Sequence, residues 1–141
     1  MNDAQAAGMF AGMGLLFIGV LVVALIPAIF YCLTLHRTMN KLSPANRPFE
    51  GALIWLSFIP VLGSVWHMVY VCLMSSAIKK EYADAGQQDD GAMNLAIGMV
   101  ASSVACMIPF LNLIAWIPAL VFWIMYWLRM ADYNKKLPVA R

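Results

Sequence analysis

His67 is the residue of this chain whose type and setting best suit chemistry inside an apolar run. It stands beside Trp66 in "FIPVLGSVWHMVYVCLMSSAIKK", residues 58–80. An imidazole there could ligate haem or the magnesium of a pigment, or respond to pH. It could equally be a neutral ring bonded to a neighbouring helix's carbonyl, or lie near headgroups. A six-coordinate haem needs a second ligand, and His36 falls at the far, basic end of its own apolar run. No cofactor or metal is therefore expected, with His67 the sole candidate. Helical spacing puts Ser64, His67, Val71, Ser75 and Lys79 near one face, with Cys72 and Ser76 beside it. Asn94, Gly98, Ser102 and Cys106 recur every four residues, as do Ala4, Gly8 and Gly12. Such stripes either line a narrow pore or let helices approach closely and bond across the contact.

The missing chemistry narrows the choice. No Asp, Glu, Lys or Arg lies within 4–36, 51–78 or 91–128, whereas pumps and ion-coupled transporters keep ionisable groups inside the membrane. The chain has no Gly-rich phosphate loop, no H-E-x-x-H and no nucleophile elbow. Cys32, Cys72 and Cys106 fall in apolar runs without C-x-x-C spacing, which indicates neither a disulfide framework nor a zinc site. A net charge of +2 offers nothing to nucleic acid. The chain is expected to be non-enzymatic.

The elements that must position these residues follow from hydropathy and charge. Of 141 residues, 63% are hydrophobic and 11% charged, against about a quarter charged in soluble domains. About 20 apolar residues span the hydrocarbon layer, and each charge-free stretch exceeds that. An all-α, polytopic integral membrane protein is expected. As one helix, 91–128 would be about 57 Å long, so it must fold back. Ile108–Asn112 is the corner, since Pro109 lacks a donor and Asn112 tolerates turn geometry, leaving arms 92–108 and 113–134.

The stretch 51–78 could cross once, at about 42 Å, or turn back at Ile59–Gly63. Turning back leaves a first arm, 51–59, of about 14 Å and a second from Ser64 to Lys80. A single crossing divides the basic residues, with Arg37, Lys41 and Arg47 on one side and six on the other. A re-entrant hairpin puts all nine, Arg141 included, on one face, as positive-inside loops prefer. A repeat agrees: Tyr31, Tyr70 and Tyr126 precede Lys41, Lys80 and Lys136 by ten residues each, as if three helices ended at one interface.

The expected order is a single membrane domain, 1–141. It comprises a long helix 8–36 bending at Pro27, a cytoplasmic linker 37–50, a re-entrant hairpin 51–80, a loop 81–91, a transmembrane hairpin 92–134 and a tail 135–141. The loop, "KKEYADAGQQDDG" with the preceding lysines, reads as a solvated connector. The start, "MNDAQAAGMF", lacks a basic n-region and reads as part of a retained anchor, with the N-terminus outside and the C-terminus cytoplasmic. Arg37, Lys41, Arg47, Arg129, Lys135 and Lys136 could hold anionic lipid headgroups, each contributing on the order of 1 kcal/mol. Trp66 and Trp116 suit the outer aromatic belt; Trp123, Tyr126, Trp127 and Tyr133 suit anchors in the inner half of the last helix.

"SPANRPFEGALIWLSFIPVLGSVW", "KKEY" and "IPFLNLIAWIPALVFWIMYWLRMADYNKKL" together resemble a group of small bacterial inner-membrane proteins of unknown function, over about 40–137. The resemblance implies a bacterial cytoplasmic membrane and the hairpin topology, and brings no functional residues. The expected role is assembly, as a homo-oligomer or as an accessory subunit of a membrane complex. The alternatives are an oligomeric channel lined by the Ser64, His67, Ser75 or Asn94, Ser102 faces, and a haem- or pigment-carrying subunit using His67.

Overall fold

The computed structural model describes residues 2–137; the last cation of the charge argument, Arg141, lies outside the described residues. All regular structure among the described residues is helical: α1 (Asp3–Lys41), a short 3-10 arm (Gly51–Phe58), α2 (Leu62–Asp84), α3 (Met93–Cys106) and α4 (Asn112–Lys136). Two helices are long and apolar enough to cross a membrane, Ala4–Lys41 and Asn112–Lys136, and α3 is a shorter apolar one.

The chain divides into two compact units that meet within α1, one ending at Tyr31 and the other beginning at Cys32. The first is a single helical stretch. It continues through Pro27, and every residue from Ala7 to Ile26 is exposed. Its glycines Gly8, Gly12, Gly14 and Gly19 have open space where a Cβ would stand.

The second unit is two helical hairpins packed on the last turns of α1. In the first hairpin the 3-10 arm runs antiparallel to α2. Trp66 Nε1 donates to the Leu53 carbonyl at 2.6 Å, and the Tyr70 hydroxyl donates to the Gly51 carbonyl at 3.2 Å. The eight-residue arm reaches about 16 Å and the 23-residue α2 about 35 Å. The linker therefore climbs alongside α2 before the arm begins. Gly51 marks the arrival: its N–H donates to Asn40 Oδ1 at 3.1 Å, and a Cβ there would stand 2.5 Å from the His36 carbonyl oxygen.

Both hairpins turn on the same sequence, Ile-Pro-x-Leu, in the same way. Leu62 N–H donates back to Pro60 O at 2.8 Å, and Leu111 N–H to Pro109 O at 2.9 Å. The residue between carries positive φ, 65° at Val61 and 70° at Phe110. Val61, with ψ −63°, has the rare γ-turn geometry. These two side chains, 85% and 87% exposed, are the tips of the hairpins. The strained residues are thus the ones after each proline. Asn112, expected to absorb the second corner, is the first residue of α4. Gly63 serves a close approach instead, since a Cβ there would meet the Ser57 carbonyl oxygen at 2.2 Å.

Several boundaries move outward from their expected places. α1 continues to Lys41 and α2 to Asp84, and Lys135 and Lys136 belong to α4. The linker is thereby shortened to 42–50 and the loop to 85–92. Charge marks where water begins, whereas a helix ends at a breaker or a turn. The Ser43-Pro44 and Ala85-Gly86 steps supply those. α3 falls short of its expected arm; its 14 residues span about 21 Å.

The C-terminal ends of α1, α2 and α4 meet, and the core lies there. Leu35, Met39, Leu42, Tyr70, Met74, Ile78, Tyr126 and Met130 are fully buried. Toward the corners the side chains open outward, among them Leu111, Leu113 and Ile114.

Candidate functional site

The six polar-face residues expected on α2 and α3 occupy separate environments. Ser75 is fully buried, its Oγ 3.1 Å from the Tyr126 hydroxyl, which donates to the Val71 carbonyl at 3.0 Å. Ser64, about three turns toward the corner on the same face, is exposed. On α3, Asn94 is exposed near the helix start and donates to Asp90 Oδ2 at 3.2 Å. Ser102 Oγ returns to its own helix, donating to the Gly98 carbonyl at 2.8 Å. Gly98 lies under the Phe122 ring, which a Cβ there would meet at 2.6 Å. Gly98 and Ser75 are therefore contact positions between helices, and no single face of the unit collects all six.

His67, half-buried on α2, opens on a cavity of about 400 Å³. α3 contributes Met99, Ser103 and Cys106, at i, i+4 and i+7; α4 contributes Trp116, Ala119, Leu120 and Trp123. Ser103 Oγ donates to the Met99 carbonyl at 2.8 Å. One imidazole, one hydroxyl and one thiol are thus set in otherwise apolar walls. Among the described residues no group of three or more His, Cys, Asp or Glu is placed to hold a metal. His36 stands at the other end of the unit, where its carbonyl faces Gly51. Its buried Nδ1 has no hydrogen-bond partner among the described residues.

At the basic end the structure builds what sequence reasoning missed. The α2 C-terminus and the loop after it, expected to be a solvated connector, form two docking points. Glu81 accepts from Ser43 Oγ at 2.7 Å, from Ser43 N–H at 3.3 Å and from Asn46 Nδ2 at 2.9 Å, and Asp84 takes a second bond from Asn46 at 2.6 Å. The linker turn is thereby fastened to α2. Asp89 accepts from Arg129 at 3.1 Å, from the Tyr133 hydroxyl and from Gly91 N–H at 2.8 Å, which fastens the loop to α4. Tyr82 packs edge-on against Tyr133 with ring centroids 5.5 Å apart, and the Arg129 guanidinium lies 4.9 Å over the Tyr133 ring. Burial pushes the Tyr82 hydroxyl above its ordinary range, and the neighbouring Asp89 charge adds to the shift. An open cavity of about 590 Å³ between these groups is lined by Glu81, Tyr82, Gln87, Gln88, Asp89 and Lys136, among others.

These contacts sort the six cations expected to meet headgroups. Lys41 donates to the Asn134 carbonyl, Arg129 pairs with Asp89, and Lys136 pairs with Asp132 at 2.7 Å. Arg37 and Lys135 are exposed and Arg47 half-buried; Lys79 and Lys80, left out of the expected set, are exposed as well.

The aromatic anchors need correction too. Tyr126 and Tyr133 are buried in the bundle and bonded to its atoms, as is Tyr70 of the tyrosine–lysine repeat. Trp127 Nε1 donates to Thr34 Oγ1 at 3.1 Å, and Trp66 closes its own hairpin. A hydroxyl or indole N–H within a bundle must find a partner: α2 supplies one to Tyr126 and α1 to Trp127, the 3-10 arm serves Trp66 and Tyr70, and the 85–92 loop serves Tyr133. Trp116, 55% exposed, remains on the outer surface. The chain matches no protein-family profile, no curated protein and no solved structure.

Proposed function

We propose that this protein is a polytopic, non-enzymatic membrane protein that acts by assembling, with copies of itself or as an accessory subunit of a membrane complex. The carrying observation is the polarity of the second unit. Its eight described cations belong to the linker and to the C-terminal parts of α1, α2 and α4, where the polar contacts concentrate. The rest is apolar and outward-facing, ending in the bare tips Val61 and Phe110. Lipid takes apolar surface at no cost and rejects stranded charge. In this reading the basic end lies in the cytoplasm, the first hairpin is re-entrant and α4 crosses, which suits a bacterial inner membrane with the N-terminus outside.

Assembly is supported by the first unit. Ala4, Gly8 and Gly12 repeat at i, i+4 on an apolar helix, and a Cβ at either glycine would meet nothing. Helix-interior glycines cost up to about 1 kcal/mol each relative to alanine, and close approach of another helix would offset that. The conduit alternative draws little support from Ser75 and Gly98, which are occupied in packing.

Topology is the direct test. In a cysteine-free background, Ala45→Cys and Gly86→Cys should both react with an impermeant thiol reagent from the cytoplasmic side alone. Reaction of the two from opposite sides would end the re-entrant reading, and extraction of the protein by alkaline carbonate would end the membrane one.

A further inference from the structure

The His67 cavity differs from an ordinary packing gap in how its walls are composed. Three helices each turn one face toward it. Trp116 and Trp123 stand seven residues apart on α4, two turns along one face, and the small residue between them, Ala119, lines the cavity as well. The facing residues of α3 are Ser103 and Cys106, and α2 brings the imidazole. Trp123 also lies tilted against Trp127, ring centroids 5.4 Å apart, which steadies that wall. The cavity is open on its outer side, where Trp116 is 55% exposed, so a ligand could enter it from the surrounding medium.

We infer that this cavity is a binding site for a lipophilic molecule with a planar ring bearing a carbonyl or hydroxyl oxygen, of the quinone or phenol class. Two indoles with a small residue between them offer a flat ring a stacking slot. An imidazole has two ring nitrogens, so His67 can keep a partner within the protein and still present the other nitrogen to a ring oxygen. The Ser103 hydroxyl donates to Met99 and keeps lone pairs for a ring hydroxyl. A few placed polar groups in apolar walls are the usual composition of a small-molecule site. A phospholipid chain would use the apolar walls and ignore the polar atoms. The inference rests on the membrane placement proposed above in one respect, that the ligand arrives from the bilayer.

The test uses the full chain in phosphatidylcholine nanodiscs, with 2-decyl-1,4-benzoquinone as probe and tryptophan fluorescence as readout. A partitioning quinone quenches all five tryptophans linearly, whereas a site gives a saturable component. The expected result is a saturable component that is lost in Ala119→Phe, whose helix content by circular dichroism stays unchanged, and weakened at least fivefold in His67→Ala. Linear quenching in the unsubstituted protein, or a saturable component indifferent to both substitutions, would overturn the inference. So would its displacement by decane, which would mark an acyl-chain groove. Repeating the titration in detergent micelles separates this outcome from failure of the membrane reading, since carbonate extraction reports on the latter alone.

Discussion

The Tyr126 hydroxyl is held between two groups of α2, 3.1 Å from Ser75 Oγ and 3.0 Å from the Val71 carbonyl oxygen. Both side chains are fully buried, and this pair joins the two long helices of the hairpins. Tyr126→Phe should lower stability by about 1 kcal/mol, the usual size of an interhelical hydrogen bond in lipid. Ser75→Ala should lower it by less, because Tyr126 keeps its bond to Val71. Reversible unfolding in mixed micelles of dodecylmaltoside and SDS measures both, and equal losses would contradict the geometry.

Gly91 and Gly86 both have positive φ, 66° and 71°, yet their surroundings differ. A Cβ at Gly91 would stand 2.0 Å from the Ser75 carbonyl oxygen; one at Gly86 meets nothing within 4 Å. Gly86→Ala should therefore cost about 1 kcal/mol, from left-handed backbone alone. Gly91→Ala should cost at least twice as much, because backbone must shift to admit it. The same unfolding measurement ranks them.

Asp89 holds the 85–92 loop on α4 through Arg129 and Tyr133. Asp89→Ala should speed amide hydrogen exchange across that loop and lower its local stability by about 1–2 kcal/mol. The figure is set below that of a buried ion pair because the Arg129 side chain is 41% exposed. Exchange in the first hairpin should stay unchanged.

At the corners, relief of strain is measurable. Val61 is β-branched, has φ 65° and packs little, being 85% exposed. Glycine tolerates that geometry freely, and the roughly 1–3 kcal/mol of strain at such a sparsely populated backbone conformation exceeds the roughly 0.5–1 kcal/mol of added chain entropy. Val61→Gly should stabilise the protein by up to about 1 kcal/mol, seen as a higher midpoint in the same SDS titration.

The glycine stripe predicts subunit number. Replacing Gly8 and Gly12 together by leucine should reduce the mass of the particle in mild detergent toward that of one chain. Folding of the second unit should be unaffected, since nothing lies within 4 Å of either glycine. Undiminished mass would remove α1 from the assembly surface.

Much of the element order is legible without coordinates, because its causes are local. A proline lacks a donor and fixes its own φ, so Pro60 and Pro109 announce two corners wherever they are read. The ten-residue interval from tyrosine to lysine likewise marks three helix ends that do converge. Glu81 and Asp89 were illegible for the opposite reason. Their partners lie 35 to 44 residues away, and an acidic residue near a helix end looks the same whether it faces water or accepts from Ser43, Asn46 or Tyr133.

What the sequence determined by itself was how much of the chain is apolar, where charge stops and where the backbone must turn. These are properties of composition and of single residues. Only the tertiary structure decided which side each helix turns inward, because rotation about a helix axis depends on its neighbours. That rotation buried Tyr70, Tyr126 and Tyr133 in the bundle, put Ser75 into a contact, and left His67 on the edge of a cavity between α3 and α4.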